Sequence, residues 1–521
     1  MKNPRSILLP ALLGAALLGV RQPAARGDDA ASPFVGDFSG SPIHWTPWGD
    51  GAFARAKKEN LPVYVFIGSV LSEPARTTES QSFSNPDTAA FFNAHFVCVL
   101  VDRDERPDIA AAAQQYLDQI KQLSGWPVHL WLTPDLRPFD GANYLGPTQE
   151  WGQQSLMQVA TRAADSWRID AKGCSRTSLG QVAALRRARM APGPIDSAKL
   201  AAALQAAAQD WRTKYDPAHG GFGDAPRYPQ PELLRFLIKR GSADRDLALA
   251  ALKALASGAL RDTANGGFYR YRSDTDGRTP YPQKTLQDQA RLVLAYVDAQ
   301  QSGADPVFAD AIRTTLGYVL GHLARRDGTF SSSEDGTGDK PLVDTRAAAD
   351  ANGLLLAALA RAGGVLGDSS TVEAARSLGG AARLRFIRPG GDVSHFADQA
   401  SLSSPGDYAA LALGFRALAV ASRDDGCNSL ADRLLARCDQ LFLVPGAGNY
   451  AASPAVLPKG VFARSPASLL ADQNPAPEAI ALLAGPAPST GDALGRGLVR
   501  ALILGDGNTG DALLALASIS P

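Results

Sequence analysis

Two rhythms of apolar residues divide the chain. Up to about residue 168, short β-rich runs alternate with segments of helical period. Residues 49–60 (GDGAFARAKKEN) repeat apolar positions every 3.6 residues and predict a helix, and residues 62–68 (PVYVFIG) form a β-branched and aromatic run closed by Gly68. The same alternation predicts a helix over 86–95, a strand over 96–102 (FVCVLVD), a helix over 108–121 and a strand over 127–132 (PVHLWL). An edge hairpin over 137–145 and a closing helix over about 149–167 complete the set. Strands alternating with helices predict an α/β sheet covered on both faces.

From about Asp196 the rhythm is helical almost throughout. Leu286, Ala290, Val293 and Val297, for example, share one face of a helix beginning near Lys284. Expected starts lie near Asp196, Pro231, Asp246, Lys284, Pro306, Thr345, Ser370, Gly406, Asn428, Pro477, Gly491 and Gly510. Six antiparallel pairs of such helices close a toroid, and periodicity alone equally permits an α-solenoid. Between the two regions, residues 169–195 lose strand signal, carry the cluster Arg186, Arg187 and Arg189, and read as a connector with at most one helix.

Charge and composition narrow the partners. The 52 basic and 52 acidic side chains cancel, which argues against nucleic acid. Lys2 and Arg5, the apolar run from Ile7 to Val20 and the small residues around Ala25 and Gly27 read as an export signal cleaved near Asp28. That run holds 14 residues interrupted by Pro10, short for a membrane span, and no later stretch is apolar enough. Of the four cysteines, Cys98 sits in a buried-looking strand, while Cys427 and Cys438 lie 11 residues apart on one helical pattern, beyond disulfide reach. Any bridge would have to use Cys174. No pair has metal-ligand spacing, and neither a metal nor a cofactor is expected.

The turn after the first strand carries Ser72 two residues before Pro74, a helix cap with proline in the first turn. With it come Trp45-x-Pro-Trp48-Gly49, Asp102-Arg103-x-Glu105-Arg106-Pro107-Asp108 and Gly125-Trp126-Pro127. Together these motifs resemble the thioredoxin-like domain of the spermatogenesis-associated, YyaL-type family. The resemblance implies a cis Trp126–Pro127 bond. Where the family carries Cys-His-Trp-Cys-His, this chain has Ser72, Glu73, Pro74, Ala75 and Arg76. Dithiol exchange needs an attacking and a resolving thiol, so Ser72, Ala75 and Pro127 are expected to mark a degenerate redox site that binds without redox chemistry. The family also joins this domain to a six-hairpin, glycosidase-like (α/α)6 barrel, which resolves the choice between toroid and solenoid. The expected organisation is a signal peptide (1–27), a disordered linker (28–42), a thioredoxin-like domain (43–168), a linker (169–195) and the barrel (196–521).

In such a barrel the loops of one end converge on a funnel, and aromatic faces with charged groups suit a sugar there. The expected ligand-facing residues are Arg227, Tyr228, Tyr269, Arg270, Tyr281, Gln283, Lys284, Asp288, Asn352, Asp407 and Tyr408. Glycoside hydrolysis needs two carboxyl groups, for which Glu334, Asp335 and Asp350 are the candidates, although Asp350 and Asp407 also suit helix caps. The family's His-Phe-Glu-Lys-Met is Tyr281-Pro282-Gln283-Lys284-Thr285 here, and its Asp-Trp-Asn-Gly is Asp350-Ala351-Asn352-Gly353. The first change favours binding over proton transfer, and the second removes a stacking surface. The expected activity is therefore binding of a carbohydrate or a protein partner by an exported, non-redox chain, with a glycoside hydrolase or sugar isomerase working from the funnel as the alternative.

Overall fold

A computed structural model of the chain describes residues 32–149, 152–188, 197–217, 220–223, 226–274, 278–336, 341–397, 401–443 and 450–451. The signal segment, Arg189 and the helix starts expected at Pro477, Gly491 and Gly510 lie outside them.

The first part is built on five strands, β1 (Thr46–Pro47), β2 (Val63–Gly68), β3 (Val97–Asp102), β4 (Val128–Leu132) and β5 (Pro138–Ala142), in the order β1-β3-β2-β4-β5. β3 runs parallel to β1 and β2, whereas β4 is antiparallel to both β2 and β5. Because successive side chains of a strand point to opposite faces, β2 feeds two cores. Tyr64 and Phe66 enter an aromatic cluster with Phe83, Phe92 and Trp131, and Val63, Val65 and Ile67 enter an aliphatic one with Ile109 and Leu130. This is the sheet of a thioredoxin-like fold, and Trp126–Pro127 is cis as expected.

Helices α1 (Pro33–Asp37), α2 (Asp50–Glu59), α3 (Glu73–Thr78), α4 (Pro86–His95), α5 (Pro107–Tyr116) and α6 (Leu156–Ala188) cover the sheet. Residues 32–42 correct the expectation of a disordered linker: Phe34 and Phe38 are 1% and 4% exposed and cap the aromatic cluster that Phe66 would otherwise leave open. α6 begins later than expected and kinks at Asp170, and its second half returns Val182 and Leu185 to the aliphatic core.

The second part is helical: α7 (Ser197–Thr213), α8 (Pro231–Arg240), α9 (Ser242–Ser257), α10 (Leu286–Ser302), α11 (Pro306–Tyr318), α12 (Ala349–Leu366), α13 (Ser369–Arg385), α14 (Pro405–Ser422) and α15 (Asp425–Phe442). From α8 on, neighbours in sequence pair as hairpins, and α8, α10, α12 and α14 pack successively side by side. α10, α12 and α14 are buried nearly all round and form an inner layer, whereas α9, α13 and α15 bury one face. Gly353 allows the closest approach, since a Cβ there would lie 2.5 Å from the Ala410 carbonyl carbon of α14. Short strands that helical periodicity does not reveal decorate one end: β6 (Tyr271–Arg272) with β7 (Pro280–Tyr281), and β8 (Gln283–Thr285), β9 (Ser333–Asp335) and β10 (Leu342–Asp344) in the order β10-β9-β8. All four cysteines are unpaired.

Candidate functional site

Inner helices separated by one return helix all run the same way, so their first turns gather at one end. Each carries a carboxylate there: Glu232 on α8, Asp288 on α10, Asp350 on α12 and Asp407 on α14. Free N–H groups and the helix dipole favour an anion at that position. Asp407 closes a capping box, its Oδ2 accepting from the Ser404 backbone N–H (2.7 Å) and hydroxyl (3.1 Å).

The other oxygen of Asp407, Oδ1, lies 2.7 Å from His395 Nδ1. Asp350 is the third member, and ligand-type atoms of the three residues all fall within 4.8 Å of one another. Asp350 is 9% exposed, and its one hydrogen bond comes from the N–H of Ala351. Burial pushes its carboxyl above the ordinary range, a rise that the His395 charge partly offsets. Burial opposes a charge on His395, but Asp407 by charge and hydrogen bond, joined by Asp350, raises its pKa above the usual value. The imidazole is therefore held as a cation with Nδ1 fixed on Asp407 and Nε2 left for another partner. A metal here would displace the His395 bond to Asp407 Oδ1 and leave the cap on Oδ2 in place, whereas as it stands the pair holds a proton between Nδ1 and Oδ1. The spacing of residues 350, 395 and 407 gave no sign of this cluster. The signal that could have found it is one acid in each inner helix's first turn, with His395 in the loop leading to one of them.

The α/β part packs on this same end. Arg346, 6% exposed on its side chain, donates to Asp102 Oδ2 (2.7 Å), to both oxygens of Asp344 (2.9 and 2.8 Å) and to Asp104 Oδ2 (3.3 Å). Asp104 and Glu105 act electrostatically on His395. The loop after β2 also faces the helical part: Arg76 donates to Asp335 Oδ2 (3.4 Å), and Glu73 acts on the phenols of Tyr271 and Tyr281. Burial and the Asp335 charge push the Tyr281 hydroxyl up to about 12. Tyr281 stacks on Tyr271 at 4.8 Å with 8° between planes, and Tyr228, 40% exposed, follows at 5.0 Å.

The expected site residues separate into groups. Glu334 and Asp335 are adjacent on β9 and point to opposite faces, so they do not form a pair across one ligand. Glu334 opposes Lys284 beside Tyr318, while Asp335 meets Arg76. Lys284 is buried, bonded to Asp262 (2.7 Å) and set against the rings of Tyr269 and Tyr318. Asn352 and Tyr408 correct the expectation of ligand contact. Both are 0% exposed, Asn352 bonding both ways to the Phe330 backbone and the Tyr408 hydroxyl accepting from Val393 N–H. Arg227 pairs with Asp216 (2.6 Å), Gln283 accepts from Arg270 (2.7 Å), and Asp288 lies 3.8 Å from Arg270. Ser72 caps α3, its hydroxyl accepting from Ala75 N–H at 3.4 Å, and Ala75 is fully buried.

Residues 25–186 match the family described as a protein of unknown function, DUF255, under the heading Thioredox_DsbH. Over 315 residues the chain is 33% identical to spermatogenesis-associated protein 20 of Mus musculus, and equally so to that of Homo sapiens, covering 58% of this chain and 40% of each relative. The chain thus spans about two fifths of the curated relatives it matches. Among solved structures, a D-mannose isomerase aligns at TM-score 0.43 and 13% identity, covering 63% of this chain and 87% of that one. A cellobiose 2-epimerase from Bacillus thermoamylovorans aligns at TM-score 0.41 and 15% identity, covering 46% and 71%. The chain is a relative of the spermatogenesis-associated protein 20 proteins, with a thioredoxin-like α/β part followed by a helical domain.

Proposed function

We propose that this protein has given up dithiol exchange and works from its helical part, binding a sugar at the end where the α/β part packs and moving protons there with Asp350 and His395. The observation that carries the reading is the buried Asp407–His395 pair with Asp350 beside it. At neutral pH such a pair offers a cationic donor at His395 Nε2 and a carboxylate acceptor at Asp350, the two roles that shifting a carbonyl along a sugar requires. Asp350 takes the proton from the carbon next to the carbonyl, and His395 gives one to the carbonyl oxygen. Asp350 then gives its proton to the former carbonyl carbon, and the neutral His395 takes the proton of the neighbouring hydroxyl as that becomes the new carbonyl, which restores both groups. Hydrolysis is less well served, because Asp407 is committed to a helix cap and a histidine and is not available as the second carboxyl group. The stacked Tyr228, Tyr271 and Tyr281 supply aromatic surface of the kind sugars stack on. The non-redox half rests on Ser72 and Ala75 standing at the family's cysteine positions, and export rests on the pattern of residues 2–27.

The test is incubation with a panel of aldoses, ketoses and disaccharides in deuterated water, read by proton NMR. Deuterium should enter the carbon next to the carbonyl with the wild type and not with Asp350→Asn or His395→Gln that circular dichroism shows to be folded. Equal exchange in both variants, or none with any sugar in the wild type, would overturn the proton-transfer reading. Thiol-dependent insulin reduction would sink the non-redox half, and an N-terminus retaining residues 1–27 in the exported fraction would sink cleavage.

A further inference from the structure

The α/β part keeps an acidic turn, Asp102 to Glu105, that the absence of a dithiol leaves without an obvious task. Three of its four side chains are committed to structure. Asp102 accepts from Ser32 Oγ (2.8 Å), Arg346 Nη1 (2.7 Å) and the backbone N–H of Asp104 (2.8 Å). Asp104 accepts from Arg346 and from Arg103, and the Arg103 guanidinium lies 4.9 Å over the Trp126 ring. Glu105 differs. Its Oε1 is buried with no hydrogen-bond partner, and Arg346 Nη1 stands 3.8 Å away, an ion pair beyond hydrogen-bond reach. With 27% of its side chain exposed, it is also the most open of the charged groups here, against 9% for His395 and 6% for Arg346. The turn is therefore pinned at Asp102 and Asp104, and the next side chain stands on a fixed base, part exposed, with one carboxyl oxygen enclosed and unbonded.

Arg346, 3.8 Å from Glu105, lies 4.8 Å over the Phe396 ring, which is 4.4 Å from the His395 ring. We propose that Glu105, supplied by the α/β part, is the third acid–base group of the site in the helical part, placed beside His395 by this run of contacts, so that the α/β part completes that site. The inference rests on the reading of Asp350, His395 and Asp407 as the site. The groups that face Glu105 are Asp102, Asp104, Arg346 and His395, and those that face His395 are Asp407, Asp350, Asp104 and Glu105. Burial and the Asp102 charge, opposed by Arg346, push the Glu105 carboxyl up to about 7, so it exchanges its proton in the range where the site would work. A part-exposed carboxyl of that kind can relay a proton between solvent and the enclosed His395.

The experiment is a pH titration of the protein carrying 13C-labelled histidine, with the His395 signal assigned by its loss in His395→Gln. In the wild type the His395 shift should show a step near pH 7, where Glu105 ionises, besides its own alkaline step. In Glu105→Gln the first step should vanish and the alkaline midpoint should fall by about 0.5 to 1 pH unit, because one neighbouring negative charge is gone. Glu105→Asp should keep both steps, and unchanged signals from His44 and His129 report that the variants are folded. A His395 curve that is the same in the wild type and Glu105→Gln overturns the proposal. D-Mannose and D-glucose are then added to the wild type. If neither moves the His395 signal while the pH 7 step is present, the sugar reading fails and the Glu105 coupling stands.

Discussion

Replacing Arg346 with methionine tests the charge cluster that joins the two parts. The guanidinium stacks 4.8 Å over Phe396 and serves Asp102 and Asp344, which are 3% and 5% exposed. Methionine keeps much of the volume and removes the charge. Breaking a buried pair on one side costs about 3–5 kcal/mol, because a charge stays behind without its counterion. Two features place this case at the lower end. Asp102 keeps its bonds from Ser32 and the Asp104 backbone, and Asp344 keeps one from the Arg346 backbone (3.1 Å). The expected loss at pH 7 is about 3 kcal/mol. The pH dependence follows by linkage: burial already holds the Asp102 carboxyl above its ordinary range, and removing the Arg346 charge that opposes this raises it further. The folded form then binds more protons, and the deficit shrinks as pH falls toward 4. Urea denaturation at pH 7 and pH 4 measures both effects, and Asp102→Asn added to Arg346→Met should recover part of the loss. A deficit under about 1 kcal/mol at pH 7, or one that does not change with pH, would refute the reasoning.

Three further outcomes follow from the geometry. Gly353→Ala should destabilise the protein by about 3 kcal/mol in thermal or urea unfolding, since its Cβ would press on α14 backbone that cannot move aside. Gly364→Ala on the same helix meets nothing within 4 Å and should gain about 0.5–1 kcal/mol. His395, with its folded pKa raised from 6.5 to about 9, gives stability that is complete below about pH 6.5 and lost as pH rises through about 9; His395→Gln should flatten that decline in a pH series of melting temperatures. Ser72→Ala should cost only about 0.5 kcal/mol, as its capping bond is long at 3.4 Å, and should leave the proton-transfer activity unchanged.

What could be read from the sequence was whatever leaves a local period. Strands β2, β3 and β4 are continuous apolar runs because both of their faces are covered, and among the described residues the helix starts expected from Asp196 on fall within four residues of those observed, whereas α6 starts about seven residues late. The Ser72 cap needed only its own helix. Strands of two or three residues have too few positions to show alternation, so β8 was hidden in the approach to α10. α1 went unseen because Phe34 and Phe38 acquire meaning only beside Phe66, which lies 28 residues beyond Phe38. The candidate site was half legible. Asp350 and Asp407 stood out as helix-start carboxylates, but His395 joins them from a separate loop and Glu105 from another part of the chain.

The charges at the junction bear on why a thioredoxin-like part without paired cysteines would be kept. If the α/β part had no role in the helical part, the acidic turn after β3 would be free to drift. Instead, Asp102 and Asp104 hold Arg346 of the helical part, and Arg76, at a position within the family's redox motif, holds Asp335. These side chains hold the helical part against the sheet. On the proposed function, that changes what the α/β part contributes: a fixed wall for the acid–base site, with Glu105 at its edge, in place of a reactive pair of sulfurs. The two parts then depend on each other in a testable way. A change confined to the acidic turn, such as Glu105→Gln, should alter proton exchange at His395 without touching any residue of the helical domain.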